Sequence, residues 1–421
     1  MQTRLVDFIK ATPTGEEVDG ILRNCVHCGF CNATCPTYQL LGDERDGPRG
    51  RIYLVKQVLE GQAPSRRTQT HLDRCLTCLN CMTTCPSGVD YRHLVEVGRA
   101  EVERQVNRPW HERLQRATLR YVLPRRRLFN GLLRTGQGLR PMLPPPFRHW
   151  VPPRTVQGPW PEARHNRRMI TLEGCVQPGL QPDIDAALAR VLDRLGVSVV
   201  RGGGGCCGAV EMHLNAEQAA RERARHNIDA WWPQVEAGLE AILITASGCG
   251  LQVRDYGHLL ADDPAYRDKA QRVAELARDP CEVITPEDVQ RLGLDAGRQR
   301  VAFHPPCSLQ HGMKLTGRVE ALLRAARFDL VPVRDAHLCC GSAGTYSILQ
   351  RDLSQQLRER KLTHLERETP EVIATANIGC HMHLQSGTTT PVRHWIQLVD
   401  GAVPAASPSS PTLLPEGEKG D

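Results

Sequence analysis

From about residue 166 to 400, short β-branched and apolar runs alternate with stretches whose apolar residues fall three and four apart, the signature of strands alternating with helices. Such alternation predicts a parallel α/β fold. The pattern then repeats: "MITLEGCVQPGLQPDIDAALARVLDRLGVSVV", with "GGGGCCGAV" and "AILITASGCG" after it, answers "VAFHPPCSLQHGMKLTGRVEALLRAARFDLVPV", with "HLCCGSAG" and "VIATANIGCH". The period is about 132 residues, so two α/β halves are expected, 166–295 and 296–400, related by a pseudo-twofold axis with their cysteine-bearing edges facing a common site.

Upstream, residues 1–100 read as a mostly helical unit. In "DGPRGRIYLVKQVLEG", Pro48 suits a first helical turn, and Ile52, Leu54, Val55, Val58 and Leu59 keep an approximately helical spacing. Residues 101–165 join the two parts. The segment "RPWHERLQRATLRYVLPRRRLFNGLLR" sets Trp110, Leu114, Leu119, Tyr121, Val122, Leu128, Phe129 and Leu132 among arginines, the composition of a basic amphipathic helix broken at Pro124. From 141 to 165 prolines are too dense for a helix or a sheet interior, which predicts an extended linker laid across a surface. The last stretch, 401–421, has the composition of a disordered tail.

With 421 residues, 40% hydrophobic and 24% charged, the chain has the make-up of a globular protein of about three domains. No run approaches the roughly 18 consecutive apolar residues of a membrane span, and Met1-Gln2-Thr3-Arg4 opens no apolar signal region. The expected setting is the cytoplasm, with any membrane contact peripheral, on the cytoplasmic face of the inner membrane. The net charge of +6 is local: fifteen arginines lie between Arg104 and Arg168 against Glu112 and Glu162 alone. That surplus suits anionic lipid or an acidic partner, the alternative being that the helix simply packs its apolar face on its own neighbouring domain, and no nucleic-acid motif accompanies it.

Seventeen cysteines carry the chemistry. Cys25-x2-Cys28-x2-Cys31-x3-Cys35-Pro36 and Cys75-x2-Cys78-x2-Cys81-x3-Cys85-Pro86 have the spacing of bacterial two-cluster ferredoxins, in which the fourth cysteine of each run crosses to the other cluster. One 4Fe–4S cluster is therefore expected on Cys25, Cys28, Cys31 and Cys85, and a second on Cys75, Cys78, Cys81 and Cys35. Structural zinc sites pair short knuckles and would be overfilled by such runs. The proline after each last cysteine should turn the chain away from its cluster. Arg49 and Arg51, near the start of the intervening helix, are placed to offset cluster charge.

In each half a single cysteine precedes a Cys-Cys-Gly and then another cysteine: Cys175, Cys206, Cys207, Cys249 and Cys307, Cys339, Cys340, Cys380. Adjacent residues of a strand face opposite ways, so Gly208 and Gly341 are expected to supply the backbone that aims both thiols at one site. These eight are candidate ligands of a further iron–sulfur cluster, and Cys281 is the one cysteine left over. His27, His304, His311, His381 and His383 lie near cysteines in sequence, where hydrogen bonds would tune potentials. No G-x-G-x-x-G or Walker sequence is present, and the run Gly202–Gly205 reads as a flexible turn. The candidate residues are ligands, with no catalytic acid or base among them.

The chain resembles the family of iron–sulfur subunits with tandem cysteine-rich Cys-Cys-Gly domains, which includes subunits of heterodisulfide reductases, anaerobic glycerol-3-phosphate dehydrogenase and lactate-utilisation proteins. "ILRNCVHCGFCNATCPTYQLLGDERDGPRGRIYLVKQVLEG" and "HLDRCLTCLNCMTTCPSGVDYRHLVEVGR" make it most similar to the glycolate oxidase branch. The resemblance implies an α+β multidomain chain, a ferredoxin-type domain followed by paired α/β domains. It also implies an electron-transfer subunit of an oxidoreductase, taking electrons from FAD on a partner subunit that oxidises glycolate to glyoxylate, and passing them to a quinone or the respiratory chain. A D-lactate, glycerol-3-phosphate or heterodisulfide-reductase-like complex is the alternative. Heterodisulfide-reductase members carry a fifth cysteine for a non-cubane cluster. Gln252 and His383 occupy that position here, which leaves four cysteines for a conventional cluster and His383 as the substitute ligand in the second half.

Overall fold

The computed structural model describes residues 1–144 and 151–404. Its first part is a group of helices, chiefly α1 (Pro13–Asn24), α2 (Pro48–Leu59) and α3 (Tyr91–Gln105). Thr12 caps α1 by accepting from Gly15 N at 3.0 Å, and Pro48 fills the first turn of α2 as expected. Ile52, Val55, Val58 and Leu59 of α2 share one core with Leu94, Val95 and Val102 of α3. The two helices approach closely because Gly98 lacks a side chain: a Cβ there would lie 2.3 Å from Val55.

The arginine-rich bridge is helical, as α4 (Trp110–Val122) and α5 (Arg126–Leu139), and parts around Pro124 as its sequence predicts. Its packing reverses that of an apolar-inward helix. Arg108 and Arg116 are buried on Asp73, with Arg108 also on Glu103, while Trp110, Leu114, Tyr121 and Leu132 are exposed. Carboxylates of the first unit therefore fix the bridge. Residues 151–165 run without regular structure over the first half, where Trp160 donates to Val199 O at 3.0 Å and Gly158 N to Asp183 at 2.8 Å. Residues 145–150 of the predicted linker lie outside the described residues.

Two four-stranded, wholly parallel sheets follow. The first holds β1 (Arg167–Thr171), β2 (Val197–Arg201), β3 (Ile242–Leu243) and β4 (Ala277–Arg278) in the order β2-β1-β3-β4. After β5 (Leu294–Asp295), the second holds β6 (Arg300–His304), β7 (Asp329–Leu330), β8 (Val372–Thr375) and β9 (Val392–His394) in the equivalent order β7-β6-β8-β9. The sequence repeat is thus a repeat of topology.

The halves exchange elements. Helix α6 (Asp183–Arg194) follows β1; α7 (Ser247–Arg254) follows β3; α8 (Pro286–Arg291) comes after β4. Their counterparts are α9 (Arg318–Ala325), α10 (Ile378–Gln385) and α11 (Trp395–Gly401). Helix α11 packs on α6, with Asp400 binding Arg190 at 2.7 Å and Arg194 at 2.8 Å, and α8 packs on α9. One apolar core accordingly includes Leu188 and Leu192 together with Leu322, Leu323 and Trp395. The strand β10 (Val403–Pro404) pairs antiparallel with β5, so the first residues of the expected tail belong to the fold; 405–421 lie outside the described residues. Among the described residues no helix is long and apolar enough to cross a membrane.

Candidate metal centres

The segment after α1 carries Cys25, Cys28 and Cys31, and these line one hollow together with Cys85 and Cys81 from the second run, Cys81 standing between this hollow and the next. Cys35 leaves its own run to line a second hollow with Cys75, Cys78 and Cys81. Each run bends by the same device. His27 and Gly29 have φ of 60° and 86°, and Thr77 and Leu79, at the equivalent places, 51° and 62°. These left-handed residues curl the loop so that three sulfurs converge. Pro86 lies in a turn after the helix Asn80–Thr84 ends, as expected, but Pro36 acts differently: Cys35 is the cap, and Pro36 the first residue, of a new short helix, Pro36–Leu41.

The walls are electrostatically uneven. Burial pushes the Cys31 thiol up to about 11, and Cys78 and Cys81 well above the usual thiol range, each with a further push from neighbouring thiolates. Burial also pushes Cys75 up, but Arg51 and Arg99 outweigh it, and this thiol lies below the usual range. Arg51 is 1% exposed; it donates to His71 O at 2.8 Å and Thr37 Oγ1 at 3.1 Å, and its Nη1 stands 3.9 Å from Cys35 Sγ. Thr77 N and Tyr91 OH point at Cys75 Sγ from 3.4 and 3.5 Å. Four crowded thiols cannot ionise together without a compensating cation, and soft sulfur donors of this number suit a 4Fe–4S cluster in each hollow.

Arg99 and Tyr91 were missed in the sequence. The signal was there in α3, whose buried face carries Tyr91, Arg92, Leu94, Val95, Gly98, Arg99 and Val102, with two arginines seven residues apart among apolar neighbours.

Cys28 is exposed, with Val26 and Phe30 exposed beside it. The second hollow turns inward. Leu76 and Cys78 pack with Cys307, Cys339, Tyr346 and Leu357 of the second half, Asn80 donates to His337 O at 3.3 Å, and Thr83 Oγ1 lies 3.0 Å from His311 Nδ1. His311 is thereby spent on Thr83 and on His337 O, 2.9 Å from its Nε2, with no thiol partner.

The paired-cysteine sets form at the C-terminal edges of the two sheets, where open α/β sheets place ligands. In the first half the thiols of Cys175, Cys206, Cys207 and Cys249 lie close enough to shift one another's ionisation, and in the second so do those of Cys307, Cys339, Cys340 and Cys380. Gly208 and Gly341 both have φ of 91°, the conformation expected of them. Asn227 and Tyr256 hold the first pair by hydrogen bonds to Cys206 O and Cys207 O, and Asn227 Oδ1 also accepts from Gly205 N at 2.8 Å at the end of a glycine run in which Gly203 and Gly204 take φ of 72° and 74°. The sheet edges do meet, Ser247 Oγ lying 2.7 Å from Ser308 Oγ, but the expected common site is divided. The first set stands by Glu211 and Arg223; the second lies against Cys78 and the buried Lys361.

The expected substitute ligand is turned elsewhere. His383 Nε2 lies 3.2 Å from Ser354 Oγ and 3.3 Å from Ser354 O. Gln252 accepts from Arg92 at 3.3 Å. His304 instead reaches the second set: a ring nitrogen and the sulfurs of Cys340 and Cys380 all lie within 4.8 Å of one another. The leftover Cys281 is packed in the apolar core.

Residues 21–89 match the family described as 4Fe-4S dicluster domain, and residues 170–254 and 301–385 each match that described as Cysteine-rich domain. The two cysteine runs fall inside the first match, and the two paired-cysteine sets inside the others. The glycolate oxidase iron-sulfur subunit of Escherichia coli (strain K12) is 55% identical to the chain, over 96% of the chain and 99% of that protein. The probable glycolate oxidase iron-sulfur subunit of Bacillus subtilis (strain 168) is 28% identical over 88% and 89%. Lactate utilization protein A of Shouchella clausii (strain KSM-K16) is 24% identical over 54% of this chain and 95% of its own.

Proposed function

The chain belongs to the family of glycolate oxidase iron–sulfur subunits, and on that footing we propose that it carries electrons from a partner subunit, which oxidises glycolate to glyoxylate on FAD, to a quinone or another respiratory acceptor. The observation that carries this reading is 55% identity over nearly the whole of both chains. Cys25, Cys28, Cys31 and Cys85 would hold one 4Fe–4S cluster, Cys75, Cys78, Cys81 and Cys35 another, and the paired-cysteine region a further one. When bound, such clusters exchange single electrons, which lets a two-electron flavin be emptied stepwise.

The chain's own residues prepare that exchange. Arg51 and Arg99 set positive charge against Cys75 and favour an added electron at the second hollow. Exposed Cys28, with the apolar rim of Val26 and Phe30, offers the edge that a redox partner approaches. Inside, Cys78 lies against Cys307, so the sites form a path from surface to second half. The exposed aromatic and arginine residues of α4 and α5 suit a peripheral contact with the cytoplasmic face of a membrane.

The test is anaerobic isolation of the tagged chain with its native partners, followed by addition of glycolate. Co-isolation of a flavoprotein, with bleaching of both flavin and iron–sulfur absorbance, is expected. Bleaching by lactate or glycerol 3-phosphate alone would transfer the substrate assignment to those acids. A Cys78→Ala complex should still reduce an artificial dye with glycolate through its flavin subunit while losing electron delivery to quinone.

A further inference from the structure

We propose that His304 is a nitrogen ligand of the iron–sulfur centre in the second half, joining Cys307, Cys339, Cys340 and Cys380, and that the two paired-cysteine sets therefore differ in the donors they offer. This rests on the reading that the second cysteine set holds an iron–sulfur centre.

His304 is the last residue of β6, three positions before Cys307, and its side chain is wholly buried. A neutral imidazole carries one donor and one acceptor, and buried polar atoms are almost always paired. Among the described residues neither ring nitrogen of His304 has a hydrogen-bond partner. The ring is nevertheless aimed at polar atoms of one kind, since a ring nitrogen, Cys340 Sγ and Cys380 Sγ fall within 4.8 Å of one another. Thr375, the register partner of His304 on β8, also has a buried hydroxyl with no partner among the described residues. A buried imidazole with both nitrogens unused, facing two thiols of a four-cysteine set, is the donor arrangement a metal centre completes.

The repeat supplies a comparison within the molecule. Three positions before Cys175 stands Leu172, buried among apolar side chains. The first set thus has no imidazole at this place, and its polar neighbours are Glu211 and Arg223. His383, the other histidine near the second set, is occupied by Ser354.

The experiment compares full-length chain, prepared anaerobically in wild-type, His304→Ala, His304→Cys and His383→Ala forms, by iron and acid-labile sulfide content and by pulsed electron paramagnetic resonance with ordinary and ¹⁵N-labelled histidine. The expected wild type holds more iron than the about eight atoms of the ferredoxin-type pair. It gives a strongly coupled nitrogen signal that changes on ¹⁵N-histidine labelling. That signal should persist in His383→Ala and vanish in His304→Ala. His304→Cys should keep the additional iron without the nitrogen signal, since a thiolate replaces the ring. Additional iron with no histidine coupling in labelled wild type, or coupling that survives His304→Ala, overturns the inference and leaves the centre in place. A wild type limited to about eight irons, unchanged by Cys340→Ser, overturns the underlying reading and the inference with it.

Discussion

Gly208 and Gly341 share a φ of 91° one residue past a cysteine pair, yet their surroundings differ. A Cβ on Gly208 would meet Ala220 O at 3.2 Å, whereas on Gly341 it would lie 2.6 Å from Ser354 O and 3.0 Å from Leu357 Cβ. Gly208→Ala should therefore cost about 1–2 kcal/mol, the left-handed penalty alone. Gly341→Ala should cost more and displace the second cysteine pair, so that iron retention separates the two variants. Arg51 bears on the ferredoxin-type pair. Arg51→Met keeps most of the volume but removes the charge beside Cys35 and Cys75, and a potentiometric titration should find the second ferredoxin-type centre harder to reduce and the first unchanged. Breaking a buried pair costs about 3–5 kcal/mol; Asp46 keeps Arg74 at 2.9 Å and His71 at 3.0 Å, which places the loss toward the lower end, read from thermal melting. The sequence made the cysteines legible because ligand spacing is local. Of the two arginines flagged near the helix start, it could not tell that Arg51 is buried while Arg49 pairs with Glu44 in a partly exposed bridge. Nor could it choose His304 over His383, since that depends on which strand end faces the thiols.

Helix α3 meets the first half through one charged seam. Arg92 binds Asp255 at 3.0 Å, His93 lies between Asp90 and Asp255 at 2.9 and 3.2 Å, and the His93 ring stacks on His258 with centroids 3.8 Å apart. Burial alone would lower the His93 pKa, but hydrogen bonds to Asp255 and Asp90 overcome it and raise it from 6.5 to about 10. A pKa raised on folding gives stability that is fully present below about pH 6.5 and lost as pH climbs toward 10. Melting temperature should thus fall across that interval in the wild type and fall less in His93→Gln; equal slopes would remove His93 from the account. Element types were readable from periodicity: α2 and the strands of both halves form where apolar spacing places them. The packing of α4 was not. Its apolar residues suggested a covered face, whereas Asp73, more than thirty residues upstream, draws Arg108 and Arg116 inward and leaves Trp110 and Leu114 in solvent.

Over the whole molecule, the reciprocal clasp of α11 on α6 and α8 on α9 makes the halves one cooperative body. Trp395 is fully buried at the clasp, and Trp395→Ala should cost about 3–5 kcal/mol and lower a single melting transition. Two separated transitions would mean that the halves unfold independently. The repeat in sequence announced two similar units, but not that each closes over the other, because contact between distant segments leaves no periodic trace. That closure bears on descent. A chain bearing one such half would leave its first helix bare and find the missing closing helix in a second copy of itself, as a symmetric dimer presenting the same surface on both sides. Its folding would depend on concentration. Duplication and fusion of such a gene remove that dependence and free the two copies to diverge, and Leu172 in one half against His304 in the other is that divergence at a single strand end.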